Sequence, residues 1–277
     1  MKRLLLLSLL LFLNFASFSQ GKVQQSKEDI QKEKTESPSR TRTRSTESSN
    51  SVDEHENHSS NFFSSIPFQL FYYAIIYVPI GRYRVEEHLY NRQTVYPHVE
   101  PGIGNYTKYY NLDEKNKFRI DISDQVLIAN ELYGNHLKVK IRPFQFFYIQ
   151  ADYFELIEPK TFESGFDNLS LFNFNFCYDR LRFERFNLGW NLGANYIGNG
   201  VNKFGFTYGL NLEAFFKPKL SLYSSIKGGF INGSPVDEFE VNFRYHHRRY
   251  FASAGYERLK IGSPIFNFFA FGGGVYF

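Results

Sequence analysis

Apolar and polar residues alternate at every second position from about residue 137 to the end of the chain. In residues 204–214, aromatic and aliphatic side chains occupy the even positions, and Gly, Thr, Asn and Glu occupy the odd ones. The same alternation runs through residues 172–178, 186–196 and 239–245. A period of two residues is typical of β-strands that have one apolar and one polar face. The pattern therefore predicts an all-β body.

Turn residues divide this body into nine predicted strands, and residues 118–122 add a tenth by the same alternation. The nine strands are residues 135–143, 146–156, 168–178, 181–196, 204–216, 220–230, 238–247, 250–258 and 266–277. Residues 106–110 and 68–78 would raise the number to twelve. Residues 71–78 are apolar on both faces, however, and also fit a buried plug or a short helix. We predict about ten strands, within a range of eight to twelve.

The length and composition of the strands separate two kinds of antiparallel sheet. Strands of soluble proteins usually have about five or six residues, whereas several segments here are twice as long. Their polar faces carry mostly Asn, Gly, Ser and Thr instead of the Lys and Glu of a solvated surface. A strand that crosses a membrane needs about 9–11 residues. The pattern favours a transmembrane β-barrel over a soluble sandwich or ligand-binding barrel, and the 19% aromatic content suits lipid-facing bands.

The connections are predicted to alternate in length. The short ones are residues 143–145, 179–180, 217–218 and 247–249, and the longer ones are residues 157–167, 197–203, 231–237 and 259–264. Outer-membrane barrels have short periplasmic turns and longer external loops. The pattern therefore places the end of the chain on the periplasmic side, together with the N-terminal tail.

The last strand carries a resemblance to a known class of protein. Phe277 is a terminal aromatic residue, and apolar residues precede it at alternate positions, namely Val275, Phe271 and Phe269. In these features the body resembles the integral outer-membrane β-barrel proteins of Gram-negative bacteria, although Gly273 stands where a larger apolar residue is usual. The resemblance implies that these four residues form the insertion signal. It also implies location in the cell outer membrane, with outer-membrane lipid and the barrel-insertion machinery as partners.

The N-terminal residues predict export. Lys2 and Arg3 precede an apolar run at residues 4–13, and small residues at 17 and 19 suit signal-peptide cleavage before Gln20. The sequence predicts four regions: a signal peptide at 1–19, a disordered periplasmic tail at 20–61, a segment at 62–116 and the barrel at 117–277. For the segment at 62–116 three alternatives are left, namely a plug, a helix or the first strands. The tail is predicted to be disordered because it is almost devoid of apolar residues.

Composition and motifs exclude several classes of function. The formal net charge of +4 is close to balance and gives no reason to expect a nucleic-acid partner. The single cysteine, Cys177, excludes a disulfide framework and is predicted to be a small lumen filler. The phosphate-loop, zinc-protease and nucleophile-elbow motifs are absent. We predict no cofactor and no metal, since His55 and His58 lie in the predicted disordered tail.

Two functions follow from a barrel of this size. Eight strands are just filled by their own side chains, and open channels occur near sixteen, so ten or twelve predict a narrow or occluded lumen. The favoured function is a non-enzymatic envelope, binding or restricted-transport role. The alternative is an outer-membrane hydrolase that acts on lipid or lipid A near the outer rim, where His136, Asp152 and Ser170 would approach one another.

The polar faces also predict a cluster of charges inside the lumen. Pairing across the connection at residues 231–237 places Lys227 near Glu240, and pairing across residues 247–249 places Glu240 near Glu257. Arg244 lies two lumen positions deeper on the same strand as Glu240. Because a buried charge must be paired or neutralised, we predict an ion network of Lys227, Glu240, Arg244 and Glu257.

Overall fold

The structure is a computed structural model that describes residues 21–32, 79–98, 103–108, 118–160 and 164–277. The predicted signal peptide and most of the predicted tail, including His55 and His58, lie outside these residues. The chain divides into a unit of residues 34–86, of which only 79–86 are described, and a unit formed by the other residues. All elements below belong to the second unit.

The second unit contains a closed antiparallel barrel of ten strands. Its elements in chain order are α1 (Lys22–Gln31), a 3-10 helix (Glu87–Tyr90), β1 (Arg92–Gln93), β2 (Tyr106–Thr107), β3 (Arg119–Ala129), β4 (Leu132–Arg142), β5 (Phe147–Pro159), β6 (Phe166–Arg182), β7 (Phe186–Ile197), β8 (Lys203–Lys217), β9 (Leu220–Ile231), β10 (Ser234–His247), β11 (Tyr250–Ile261) and β12 (Ile265–Tyr276). Strands β3 to β12 pair in sequence order, and β12 pairs with β3 to close the barrel. The prediction of a barrel with about ten strands is confirmed.

The wall of the barrel is apolar outside and polar inside. On β6, Phe172, Phe174 and Phe176 are 44, 60 and 47% exposed, whereas Asn173 and Asn175 are 3 and 0% exposed. Successive side chains of a strand point to opposite faces, so the aromatic residues cover the exterior and the amides fill the lumen. A soluble barrel has the opposite arrangement. The fold is that of a transmembrane β-barrel.

The fully described connections are short at both ends of the barrel. Asn232 and Gly233 alone join β9 to β10, and both have positive φ, 50° and 76°. This is the two-residue Asn-Gly turn that matches the twist of a hairpin. The longer connection predicted over residues 231–237 is therefore wrong. Residues 198–202 and 262–264 are also compact, which makes the predicted contrast in loop length weak.

Helix α1 covers one end of the barrel. Val23, Ser26 and Ile30 are fully buried, at a spacing that places them on one face of a helix. The backbone N–H of Val23 donates to Glu158 at 2.9 Å, and Asn232 donates to the Ile30 carbonyl at 2.7 Å. The prediction of a disordered tail over residues 20–61 is wrong for residues 22–31. The helix also binds the end of the barrel opposite to the C-terminus, not the end to which the tail was assigned.

Strands β1 and β2 form a separate two-stranded sheet at the other end of the barrel. The side chain of Asn91 donates to the Arg182 carbonyl, and the Tyr106 hydroxyl donates to Asp179. Asn91 and Tyr106 are 4 and 0% exposed. Residues 87–98 and 103–108 thus pack into this end of the barrel, as the plug alternative predicts, and add no strand to it. Residues 68–78 and 109–117 lie outside the described residues.

The last strand presents the predicted insertion signal on the exterior. Phe269, Phe271 and Phe277 are 48, 51 and 60% exposed, and Val275 is half-buried. The backbone of Phe277 exchanges two hydrogen bonds with Ile120 at the closing seam. The function of these residues in insertion stays a prediction.

We expect Phe277→Ser to lower the amount of assembled barrel several-fold, because it removes the apolar end of the closing strand. Phe277→Tyr, which keeps an aromatic ring on the same backbone, is the matched control. The measurement is the folded fraction in isolated membranes on gels of unheated samples. Equal assembly of both variants would contradict the assignment.

Candidate functional site: the charged lumen

Seven ionisable side chains meet in the half of the lumen nearer to α1. They come from the inward positions of β4, β5, β9, β10 and β11, and they are His136, Lys138, Asp152, Lys227, Glu238, Glu240 and Glu257. All except Glu238 are buried. We call this set the upper lumen cluster. Each member occupies an alternate position of its strand, so the same period that makes the exterior apolar brings these charges together.

Lys227 binds two carboxylates of the upper lumen cluster. Its Nζ lies 2.6 Å from Asp152 Oδ2 and 3.0 Å from Glu238 Oε2. The register of β9 and β10 places Lys227 directly opposite Glu238, not beside Glu240. The predicted pairing of Lys227 with Glu240 is therefore not the one that the structure makes. The Asn232-Gly233 turn causes this difference, because it shifts the register by two residues.

Glu240 has other partners. Lys138 Nζ donates to its Oε2, and Asn242 Nδ2 donates to its Oε1 at 2.7 Å. Glu240 lies directly opposite Glu257 in the pairing of β10 with β11, which is the register expected across residues 247–249. Arg244 lies deeper in the lumen and pairs with Glu213, with 3.3 Å between Nη1 and Oε1. The four residues of the predicted network are thus all in the lumen. Lys227, Glu240 and Glu257 are connected through Asp152, Lys138 and His136 and do not pair directly, whereas Arg244 pairs with Glu213.

His136 is held between two carboxylates. Its Nδ1 lies 3.0 and 3.1 Å from the two oxygens of Glu257, and its Nε2 lies 3.3 Å from Asp152 Oδ1. The ring stacks on Phe154, with 3.8 Å between centroids. His136 and Asp152 therefore meet across the β4–β5 hairpin. Ser170 instead donates to Glu155 and accepts from Asn199, so the three residues of the hydrolase hypothesis do not form one hydrogen-bonded set.

A second hydroxyl–imidazole pair lies near the plug, and sequence reasoning did not identify it. Ser221 Oγ is 2.8 Å from His246 Nε2 and donates to Glu213 Oε1 at 3.1 Å. The other ring nitrogen of His246 faces the Tyr276 hydroxyl at 3.2 Å. A cavity bordered by Glu213 and Tyr276 has a volume of about 10 Å³, which is room for one water. Ser221 and His246 are both buried, so the pair belongs to the packed interior of the lumen.

The plug is also tied to the rim through His98. The backbone N–H of Arg248 donates to His98 Nε2 at 3.0 Å, which requires that this nitrogen carry no proton. Partial burial, together with the nearby Lys219 and His247, lowers the pKa of His98. The neutral ring at physiological pH therefore preserves this link between the plug and the β10–β11 turn.

Cys177 is a free and fully buried thiol on β6. Its Sγ lies 3.9 Å from the Asn175 carbonyl. It occupies a lumen position between the outward aromatic residues Phe176 and Tyr178, in agreement with a role as small filler.

No protein-family model matches the sequence, and a search of curated proteins found no significant relative. Among solved structures, the chain is similar to the attachment invasion locus protein Ail of Yersinia pestis, as a crystal structure and in a phospholipid nanodisc. The crystal structure has 13% identity and a TM-score of 0.28, and the match covers 58% of this chain and 96% of Ail. The nanodisc structure has 13% identity and a TM-score of 0.34, with 59 and 100% covered.

The chain is also similar to an outer membrane channel from Pseudomonas putida F1. The identity is 9% and the TM-score is 0.35, and the match covers 61% of this chain and 100% of the channel. In the part of the chain that the structure describes, no helix is long and apolar enough to cross a membrane.

Proposed function

We propose that this protein is exported by a cleaved signal peptide and inserts into the outer membrane as a closed barrel with a non-enzymatic envelope or binding role. The observation that carries the proposal is the inverted wall, with aromatic residues outside and ionised side chains inside. An apolar groove of about 370 Å³ on the exterior, lined by residues such as Leu137, Phe172 and Phe204, suits contact with lipid chains. Outer-membrane lipid is therefore the first partner that we propose.

Occlusion of the lumen argues against passive diffusion of solutes. α1 covers one end, β1 and β2 fill the other, and ion pairs bridge the space between them. Two cavities inside the lumen, one beside Arg244 and one beside Glu257, have volumes of about 10 Å³ each. A transport role would require displacement of α1 or of the plug, because no solute larger than water fits these spaces.

The geometry of His136 argues against the hydrolase alternative. A general base needs one ring nitrogen for the nucleophile and the other for an orienting carboxylate. Both ring nitrogens of His136 face carboxylates, those of Glu257 and Asp152. Neither is available to a hydroxyl group.

Membrane fractionation combined with bilayer recording tests the proposal. We expect the wild-type protein to be extracted from the outer membrane only by detergent, and to change its gel mobility on heating. In planar bilayers it should show no stable open conductance, whereas deletion of residues 87–108 should produce one. Recovery in the soluble periplasmic fraction, or wide conductance of the wild type, would contradict the proposal. Phospholipid hydrolysis that is lost in His136→Gln would favour the hydrolase.

A further inference from the structure

Three side chains of the upper lumen cluster have the spacing of metal ligands. One donor atom each from His136, Glu240 and Glu257 lies within 4.8 Å of the others, and all three residues are buried. The Nδ1 of His136 is 3.0 Å from Glu257 Oε1. Two tetrahedral ligands bound to one zinc ion at about 2.0–2.1 Å stand about 3.3 Å apart. The distance between His136 and Glu257 is within a few tenths of an ångström of this spacing. Glu240, whose donor atom lies within 4.8 Å of the other two, has to approach them to complete the set.

The surrounding residues fix these donors in the way that outer-shell residues fix metal ligands. Metal-binding imidazoles usually donate their second N–H to a carboxylate, and Asp152 is in place for this at 3.3 Å from Nε2. Phe154 stacks on the ring and sets its plane. Lys138 and Asn242 hold the carboxylate of Glu240. The free nitrogen of the imidazole would then be Nδ1, which faces Glu257.

The charge of the cluster is not balanced by its own lysines. Four carboxylates, those of Asp152, Glu238, Glu240 and Glu257, share two ammonium groups, those of Lys138 and Lys227. With His136 protonated between Glu257 and Asp152, one negative charge remains in a buried site, and two remain when the Nδ1 proton leaves to make room for a metal ion. The next lumen lysine, Lys140, lies over the rings of Tyr223 and Tyr148. Uncompensated buried charge is costly, and one divalent cation would cancel it.

Space for a further ligand lies beside the two glutamates. A cavity of about 10 Å³ is lined by Glu240, Glu257, Ser225 and Phe154, and this volume accommodates one water. Taken together, the geometry points to a divalent metal site in which His136 Nδ1, Glu240 and Glu257 bind the ion and water completes its shell. A mixed nitrogen and carboxylate set suits zinc and similar transition metals. Binding releases the Nδ1 proton where His136 carries one.

The proposed site has a structural role, not a catalytic one. Its ligands come from β4, β10 and β11, so the ion would join opposite walls across the lumen. The inference rests on lumen geometry alone and is independent of the envelope role proposed above.

Zinc retention by the refolded protein tests the site. The full chain is refolded into detergent micelles with Zn²⁺, so that access through the closed ends is not limiting, and weakly held metal is removed on a chelating resin. We expect about one zinc per chain, the stoichiometry of a single tetrahedral site. Glu257→Gln and His136→Gln should retain at least about tenfold less zinc, and Asp152→Asn should weaken binding about 10–100-fold.

The controls separate this site from other binding. Glu213→Gln changes a lumen carboxylate that pairs with Arg244 and should retain zinc like the wild type. The variant His55→Asn/His58→Asn should also retain it. Background zinc in the wild type, equal retention in Glu257→Gln, or loss in the His55/His58 variant would overturn the proposal. Should the ligand variants fail to fold, a wild-type melting temperature that is unchanged by zinc during refolding would overturn it as well.

Discussion

Replacement of Gly193 by alanine is expected to destabilise the barrel by about 3 kcal/mol or more, the upper range for overpacking a close contact. A Cβ at Gly193 would lie 2.0 Å from the Phe174 carbonyl oxygen and 2.7 Å from Asn175 Oδ1. The first neighbour is backbone of the adjacent strand, which cannot yield without separating β6 from β7. The measurement is the urea midpoint of unfolding in detergent, followed by gel mobility.

The expected loss of stability follows from a cross-strand pair that recurs in this barrel, in which a residue with a lumen amide is directly opposite a glycine. The pairs are Asn175 with Gly193, Asn191 with Gly209, Asn195 with Gly205, Asn242 with Gly255, and Gln125 with Gly272. At each of these glycines a Cβ would collide with the backbone of a neighbouring strand. That strand carries the paired amide for Gly193, Gly255 and Gly272, and it is β9 for Gly205 and Gly209. Gly198→Ala is the matched control, because the nearest atom to its Cβ is 3.8 Å away. Equal midpoints for the two variants would refute this account.

Lys227→Met is expected to destabilise the barrel by about 3–5 kcal/mol, the usual cost of removing one partner from a buried ion pair. The substitution keeps the volume of the side chain but leaves Asp152 and Glu238 without their shared ammonium group. Urea unfolding in detergent measures the effect.

The half-exposed Lys260 of β11 offers a control, and Lys260→Met should change stability by no more than about 0.5 kcal/mol. The double variant Lys227→Met/Asp152→Asn should recover part of the loss, because it removes one of the two stranded charges. Equal stability of Lys227→Met and Lys260→Met would show that the pairing contributes little.

Strand positions were predictable from the sequence because each depends on local alternation. The segment predicted at residues 204–216 is observed as Lys203–Lys217, for example. Register was less predictable, because it depends on turn geometry. Asn232-Gly233 is the strongest short hairpin signal in this part of the chain. The longer connection predicted at residues 231–237 includes these two residues. The prediction therefore paired Lys227 with Glu240, whereas the structure pairs Lys227 with Glu238.

Contacts across the lumen and at the barrel ends were not predictable in the same way. His136 and Glu257 are 121 residues apart in the chain, and only the curvature of the closed wall brings them together. α1 was not predicted because Val23 and Ile30 are surrounded by polar residues. The low apolar content predicted disorder, and two apolar residues at helical spacing were too few to change that prediction. β1 and β2 have two residues each, too few to show a period.

The seam between β3 and β12 has a consequence for the order of folding. It joins the first and last strands of the barrel, so Ile122 pairs with Val275 across nearly the whole body. Loop closure over such a distance is slow, and sheets dominated by non-local pairs fold late. Until β12 pairs with β3 during barrel assembly, β3 keeps an unpaired edge, and such edges promote aggregation. α1 is synthesised early, yet its partners include Ile265 on the last strand. The N-terminal helix can therefore complete its binding site only after the end of the chain has arrived.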